Sequence, residues 1–201
     1  MGKNLVFVPE CLSTNTLALE IGQQSPAKEG TVVITDHQTA GKGQRGNTWD
    51  AEPRQNLTFS LVLKPGFLPV NKQFYLNIVI SLGLYDYLKE KTSDTVYIKW
   101  PNDILVHGKK ISGILIENQL KGMQISNSIA GIGFNLNQNV FASPSAISLS
   151  QVIRTKLDRH AELPHLLGHI ESRYLQLRQA CLSAPSGDYQ PLMDDYLAAL
   201  Y

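Results

Sequence analysis

Between Asn71 and Lys91 the apolar residues Phe74, Tyr75, Ile78, Val79, Leu82, Tyr85 and Leu88 recur at helical spacing. A stripe that wide has to face a core, so one long amphipathic helix is the fixed point around which the rest of the chain must pack. The segments after it are of the opposite kind. Val96 to Lys99, Ile104 to Val106, Ile111 to Glu117 and Gln124 to Asn137 are strand-like, with His107-Gly108 and Lys121-Gly122 as turns between them. Ahead of the helix, Leu5 to Val8 reads as a short buried strand. Ser13-Thr14-Asn15-Thr16 offers capping side chains to a helix through Leu17, Leu19 and Ile21 that Gly22 stops, and Thr31 to Thr35 and Leu57 to Leu63 are further strands. Past Ser148 helices return: one around Gln151 to Leu157, one entered through Pro164 and running past Tyr174 and Leu177, and one from Gln190 to Leu200. Strands gathered in the middle, with helices grouped rather than strictly alternating, predict an α+β fold.

Length and composition bound the possibilities. The 201 residues, 43% apolar and without repeats or a composition-biased linker, fit a single domain over 1–201 with a real core. Lys and Arg number 18 against 17 Asp and Glu, so no general field draws nucleic acid or an anionic membrane, and any bound anion must be held by local geometry. No apolar run approaches the ~20 residues of a membrane span, and the first residues lack a signal peptide's apolar stretch. A soluble, cytoplasmic protein is expected. Cys11 and Cys181 stand far apart without a CxxC pair, which argues against a zinc site or a disulfide framework and leaves buried or incidental thiols.

Three segments carry chemistry. Within a polar stretch from Asp36 to Gln55, read as a functional loop, lies Gly41-Lys42-Gly43-Gln44-Arg45-Gly46. Its glycines let backbone N–H groups approach an anion while Lys42 and Arg45 supply charge, yet the spacing is neither the dinucleotide fingerprint nor a Walker loop. A solvated surface loop accounts for the same residues. Lys99-Trp100-Pro101-Asn102-Asp103 places polar groups at a strand end stiffened by proline, with Lys110 across a hairpin; packing of Trp-Pro and a solvated lysine are the plain alternatives. In Gly131-Ile132-Gly133-Phe134-Asn135-Leu136-Asn137 the strand glycines mark a close approach by a ligand, which Asn135 could read, or equally by another backbone.

Taken together, these segments say more than each alone. Ser13-Thr14-Asn15, Gln38 with the Gly41 to Gly46 loop, Trp49, the Lys-Trp-Pro-Asn-Asp run, Lys110 to Glu117 and Gly131 to Asn135 occur in an order and spacing that resembles the biotin protein ligases. The likeness spans about Val8 to Asn137 and is most specific from Lys99 to Glu117. It implies a catalytic domain related to class II aminoacyl-tRNA synthetases, with a mixed, mainly antiparallel sheet flanked by helices. It also implies synthesis of biotinyl-5′-AMP from biotin and ATP with Mg²⁺, then transfer of the biotinyl group to a lysine of a carboxylase's biotin carboxyl carrier domain. By the same resemblance Ser13, Thr14, Asn15 and Gln38 would hold the biotin head, with Gly41, Lys42, Gly113 and Gly131 lining its slot. Gly43, Gln44, Arg45, Gly46, Trp49, Asn102, Lys110 and Asn135 would serve the nucleotide, with Trp49 stacked on adenine. Lys110, Arg45 and Asp103 would act in catalysis, Asp103 as polar organiser or base beside the acceptor amine. Metal ligands are left unassigned.

The chain departs from the family pattern in three ways. The family loop commonly reads Gly-Arg-Gly-Arg-x-Gly-Arg, whereas Lys42, Gln44 and Asn47 stand at the arginine positions here. Many relatives add a small C-terminal β-barrel domain, and this chain ends at Tyr201, as a short or truncated form would. Some begin with a DNA-binding domain, for which the first strand at Leu5 leaves no room, so repressor action is not expected. Relatives often form dimers, though no self-complementary surface is legible here. Lipoate or octanoate transfer, on the same superfamily fold, ranks behind because those enzymes lack the combination of glycine-rich loop and Lys-Trp-Pro-Asn-Asp. A degenerate ligase that binds without turnover is the reading of a different class.

Overall fold

The computed structural model describes residues 1–24, 27–183 and 188–201. Its centre is a seven-stranded sheet in the order β1-β2-β3-β7-β6-β5-β4. The strands are β1 (Leu5–Cys11), β2 (Val32–Gln38), β3 (Leu57–Leu63), β4 (Val96–Lys99), β5 (Asp103–Val106), β6 (Lys109–Lys121) and β7 (Gln124–Phe134). β1 and β2 pair parallel and every other neighbouring pair is antiparallel, which agrees with the expected mixed α+β sheet. The helices are α1 (Thr14–Gln24), α2 (Phe74–Lys91), α3 (Leu149–Ile153), α4 (Arg159–Ser183) and α5 (Gln190–Ala198).

The two faces of the sheet are covered unequally. Alternate residues of β3, namely Leu57, Phe59, Leu61 and Leu63, join α2, α4 and α5 in the main core. Their neighbour Val62 joins Val33, Ile129 and Ala18 of α1 in a small cluster on the other face. Strand periodicity of two sends successive side chains of one strand to these two destinations. α2 was expected to be amphipathic, but α4 packs along its outer side, and Leu76 to Leu84 is buried without a break apart from residue 77. A Cβ on Gly83 would lie 2.6 Å from the Cα of Ile170, so α2 and α4 meet at backbone distance.

Several boundaries differ from the sequence reading, each for a physical reason. β1 is not a buried strand: it lies at the sheet edge, and Leu5 and Phe7 are each 50% exposed. α1 runs through Gly22 to Gln24, because a single glycine weakens a helix without ending it. The 36–55 loop is shorter at its start, since β2 continues to Gln38 alongside β1. α3 stops at Ile153, where Arg154 takes a left-handed conformation (φ 57°). α4 begins at Arg159, five residues before Pro164, and β7 ends at Phe134. Cys11 and Cys181 are free and half-buried. Among the described residues no helix is long and apolar enough to cross a membrane.

Candidate functional site

The cleft on the α1 face of the sheet follows from strand register. Asp103, Gly113, Gly133 and Thr58 are directly paired across β5, β6, β7 and β3, so they form one transverse row. The adjacent row on the same face is Leu115, Gly131 and Ser60. Each row therefore has glycine where a side chain would otherwise stand, which leaves a trough in the sheet surface with polar groups at its sides. Gly131-x-Gly133 can do this because residues two apart on a strand share a face. The resulting cleft has a volume of about 370 Å³.

Trp49 fills part of the trough. A Cβ on Gly133 would lie 2.2 Å from Cε2 of its indole, and one on Gly113 would lie 3.2 Å from Cζ3. The Lys110 ammonium sits 5.5 Å from the indole centroid and 2.7 Å from Asp103 Oδ1. Lys110 reaches this face only through an irregularity of β6. Ile104 pairs with Ser112 but Leu105 pairs with Lys110, so Ile111 is an extra residue, and a β-bulge reverses the alternation beyond it. Without the bulge, Lys110 and Gly113 would point to opposite faces.

At the other end of the cleft, uncharged polar groups are linked. The junction of β1 and α1 presents Ser13, Thr14 and Asn15, all buried. The backbone N–H of Thr14 donates to Gln38 Oε1 at 2.8 Å, and the Thr14 hydroxyl lies 3.1 Å from the same oxygen. Ser60 Oγ is 2.7 Å from Thr14 Oγ1 and 2.6 Å from Asn15 Oδ1, while Asn15 Nδ2 donates to Glu117 Oε2 at 2.6 Å. The expected residues Ser13, Thr14, Asn15, Gln38, Lys42, Gly43, Gln44, Arg45, Trp49, Asn102, Asp103, Lys110, Gly113 and Gly131 all line this one cleft.

Three expected residues do not line it. At Gly41 a Cβ would meet the Trp49 carbonyl oxygen, so the glycine lets the loop close on itself. Gly46 (φ 82°) ends the short 3₁₀ turn Gln44–Gly46 and has no neighbour within 4 Å of a Cβ. Asn135 is buried beside the cleft rather than on its lining. Its amide donates to the carbonyls of Ile147 (3.1 Å) and Lys110 (3.4 Å), so it ties down the backbone that carries Lys110. Asn102 lines the cleft, but its amide is already engaged with the Ile114 carbonyl at 2.8 Å.

Thr58, Ser60, Thr48, Gly133 and Trp100 belong to the cleft surroundings without having been singled out as binding residues. Thr58 and Ser60 alternate with Leu57, Phe59 and Leu61, and short polar residues at every second position of an otherwise apolar strand were the available signal. Lys42, Arg45 and Lys110 face the cleft against the single carboxylate Asp103, an electrostatic balance suited to an anionic ligand. Lys42 Nζ also lies 3.3 Å from Thr16 Oγ1, which links the loop to the first turn of α1. Among the described residues no three His, Cys, Asp or Glu side chains gather to hold a metal ion. Asp103 is the carboxylate that lines the cleft.

Known proteins resemble this chain in sequence and shape. The Biotin/lipoate A/B protein ligase family matches residues 8–135. The bifunctional ligase/repressor BirA of Bacillus subtilis is 36% identical over 179 residues, covering 87% of this chain and 54% of that protein. A biotin--[acetyl-CoA-carboxylase] ligase of Mycobacterium tuberculosis is 30% identical over 182 residues, covering 89% of this chain and 66% of its own length. The structure of the Aquifex aeolicus biotin protein ligase in complex with biotin and ATP superposes with a TM-score of 0.74 at 29% identity, covering 88% of this chain and 72% of that one. The chain thus spans between about half and two thirds of the length of these two sequence relatives. With the family match running from Val8, midway along β1, through Asn135, and so across the whole cleft, this chain belongs to the biotin/lipoate A/B protein ligase family.

Proposed function

We propose that the chain joins biotin to ATP as biotinyl-5′-AMP and passes the biotinyl group to a lysine of a biotin carboxyl carrier domain, acting in the cytoplasm where both substrates are found. The observation that carries this reading is the polarity of the cleft. One end offers a neutral chain of donors and acceptors (Gln38, Thr14, Ser60, Asn15), and the other offers Lys110, Asp103 and the indole of Trp49. A urea ring needs donors for its carbonyl and acceptors for its N–H groups without net charge, which the first end supplies. A nucleotide needs an aromatic face and cations, which the second supplies. Relatives named for biotin ligation support the same substrates.

In the first step a carboxylate oxygen attacks the α-phosphorus and the bond to pyrophosphate breaks. Two anions must approach, so the Lys110 ammonium, already inside the cleft, lowers the barrier by neutralising charge where it accumulates. Mg²⁺ on the phosphates would add Lewis-acid stabilisation of the leaving pyrophosphate. No protein nucleophile is needed. In the second step a neutral amine attacks the acyl carbon, the bond to AMP breaks, and Asp103 would organise the amine or accept the proton it loses. Trp49 and the loop from Gly41 would shield the mixed anhydride from water in between.

Incubation with labelled ATP and with biotin, lipoate or octanoate, followed by assay of pyrophosphate exchange and carrier-domain labelling, tests the proposal. Exchange driven by biotin and labelling of a carrier lysine are expected. Exchange driven by lipoate or octanoate alone would move the chain to the lipoate branch of the family, and biotin binding without exchange would make it a binding protein.

A further inference from the structure

The polar chain at the biotin end does not stop at the groups that face the cleft. It terminates at Glu117, one turn of the β6 pleat beyond Leu115, which no ligand role has yet been given. We infer that Glu117 is a positioning residue: by accepting the Asn15 amide it fixes the direction of the hydroxyl protons along the chain, and hence which groups are offered to biotin as donors and which as acceptors. This rests on the proposed biotin reading of the same cleft.

A carboxylate can only accept, so Asn15 must turn Nδ2 toward Glu117, where the distance is 2.6 Å. A second acceptor, the Leu115 carbonyl at 3.3 Å, lies on the same side. Asn15 cannot shift sideways, because its Oδ1 already lies 2.4 Å from where a Cβ on Gly131 would be. Oδ1 is thereby aimed at Ser60, whose hydroxyl at 2.6 Å must be the donor, since an amide oxygen has no proton to give. Ser60 has one proton and has now used it. The Thr14 hydroxyl lies 2.7 Å from Ser60 but 3.1 Å from Gln38 Oε1, which already accepts from the Thr14 backbone N–H, so its one proton goes to the shorter contact with Ser60 and Thr14 Oγ1 is left as an acceptor toward the cleft. Gln38 Oε1 is held inward by the Thr14 backbone N–H at 2.8 Å, which leaves the Gln38 amide nitrogen as the donor. One acceptor for a ligand N–H and one donor for a ligand carbonyl result, the pair that a cyclic urea requires. Without the carboxylate the Asn15 amide is free to reverse. Ser60 would then accept from Nδ2 and donate to Thr14, which would remove acceptor capacity from the cleft.

Calorimetry of Glu117→Ala and Glu117→Gln with biotin and with ATP separately, beside the exchange of the Asn15 side-chain amide protons followed by NMR, decides the point. A glutamine oxygen can still accept from Asn15, so Glu117→Gln should bind biotin within about threefold of wild type, whereas Glu117→Ala should bind it about tenfold more weakly. ATP affinity and thermal stability should hold in both, and the Asn15 amide protons should exchange faster only in Glu117→Ala. Unchanged biotin affinity in Glu117→Ala, or equal losses for biotin and ATP, overturns the inference. A wild type that binds no biotin overturns the functional reading instead, and in that case unaltered Asn15 exchange in Glu117→Ala still refutes the positioning role.

Discussion

The two faces of β3 invite a direct comparison. Phe59 and Ser60 are adjacent, both 0% exposed, and yet they serve different purposes. Phe59 belongs to a large apolar cluster with residues of α2 and α4, while Ser60 belongs to a short chain of hydrogen bonds beside a cleft. The apolar cluster on the cleft face is far smaller, built around Ala18, Val33, Val62 and Ile129. Apolar burial is therefore concentrated on one face and the cleft lies on the other, because an open trough floored by glycine gives up the burial that would have stabilised it.

The strongest test of that division is a pair of truncations one residue apart. Phe59→Ala should cost roughly 3–5 kcal/mol of unfolding free energy in urea titrations while the protein that remains folded keeps its biotin affinity. Ser60→Ala should cost about 1–2 kcal/mol or less of stability and weaken biotin. Similar stability losses for the two would erase the distinction between the faces.

Lys110→Ala should raise the barrier to adenylate formation by roughly 2–4 kcal/mol, about thirty- to a thousandfold in rate, with little change in melting temperature. Near-normal pyrophosphate exchange in that variant would mean that the bulge of β6 brings Lys110 to this face for another reason.

Gly133→Ala tests the trough itself. The added methyl would meet the Trp49 ring, so the indole must leave its seat, and ATP should bind more weakly by about 1–3 kcal/mol with biotin little affected. Trp49→Ala should show the same selectivity in calorimetry. If both ligands weaken equally, the tryptophan is supporting the loop rather than serving the nucleotide.

Gln44 stands where the family loop commonly has arginine, and it lines the cleft without charge. Since charge-assisted contacts are about twice as strong as neutral ones, Gln44→Arg should slow release of biotinyl-adenylate by up to about tenfold in stopped-flow experiments. Identical off-rates would show that Lys42, Arg45 and backbone amides already hold it.

The smallest expected effect belongs to the other face. Burial pushes Glu162 up, but hydrogen bonds from Lys91 and Tyr87 more than offset that and hold it below its ordinary value of 4.5. A depressed folded pKa contributes stability above the unfolded value and loses it as the pH falls through the folded value. The stability gap between wild type and Lys91→Met should accordingly be present at neutral pH and close as the pH drops below about 4.5. A gap that persists in acid would assign the effect to the Lys91 contact with the Tyr87 ring at 5.4 Å.

Much of the fold was legible in the sequence. β3 and β4 lie where the apolar patterns of Leu57 to Leu63 and Val96 to Lys99 place them, and α2 covers the helical stretch that ends at Lys91. The residues Ser13 to Asn15, Gln38, Trp49, Asp103 and Lys110 were legible through their motifs, and they share one cleft. β1 was misread as buried because Leu5 to Val8 is apolar whether or not a neighbour covers it, and an edge position is a property of the sheet. The contacts of Asn135 were not legible, because an amide after a glycine-rich strand looks the same whether it faces a ligand or a carbonyl.

What the sequence determined by itself was local: the periods of two and 3.6, the turn at His107-Gly108, a second turn found one residue later than expected at Gly122-Met123, and the glycines spaced to share a strand face. These follow from the geometry of neighbouring residues. Only the tertiary structure decided which rows those glycines would join, that a bulge at Ile111 would turn Lys110 to the side of Gly113, and that Glu117 would end the chain of hydrogen bonds begun at Gln38. Register and bulges are fixed by pairing between segments distant in sequence, where one residue of slip exchanges the faces, and no local pattern records on which side of that slip the chain will settle.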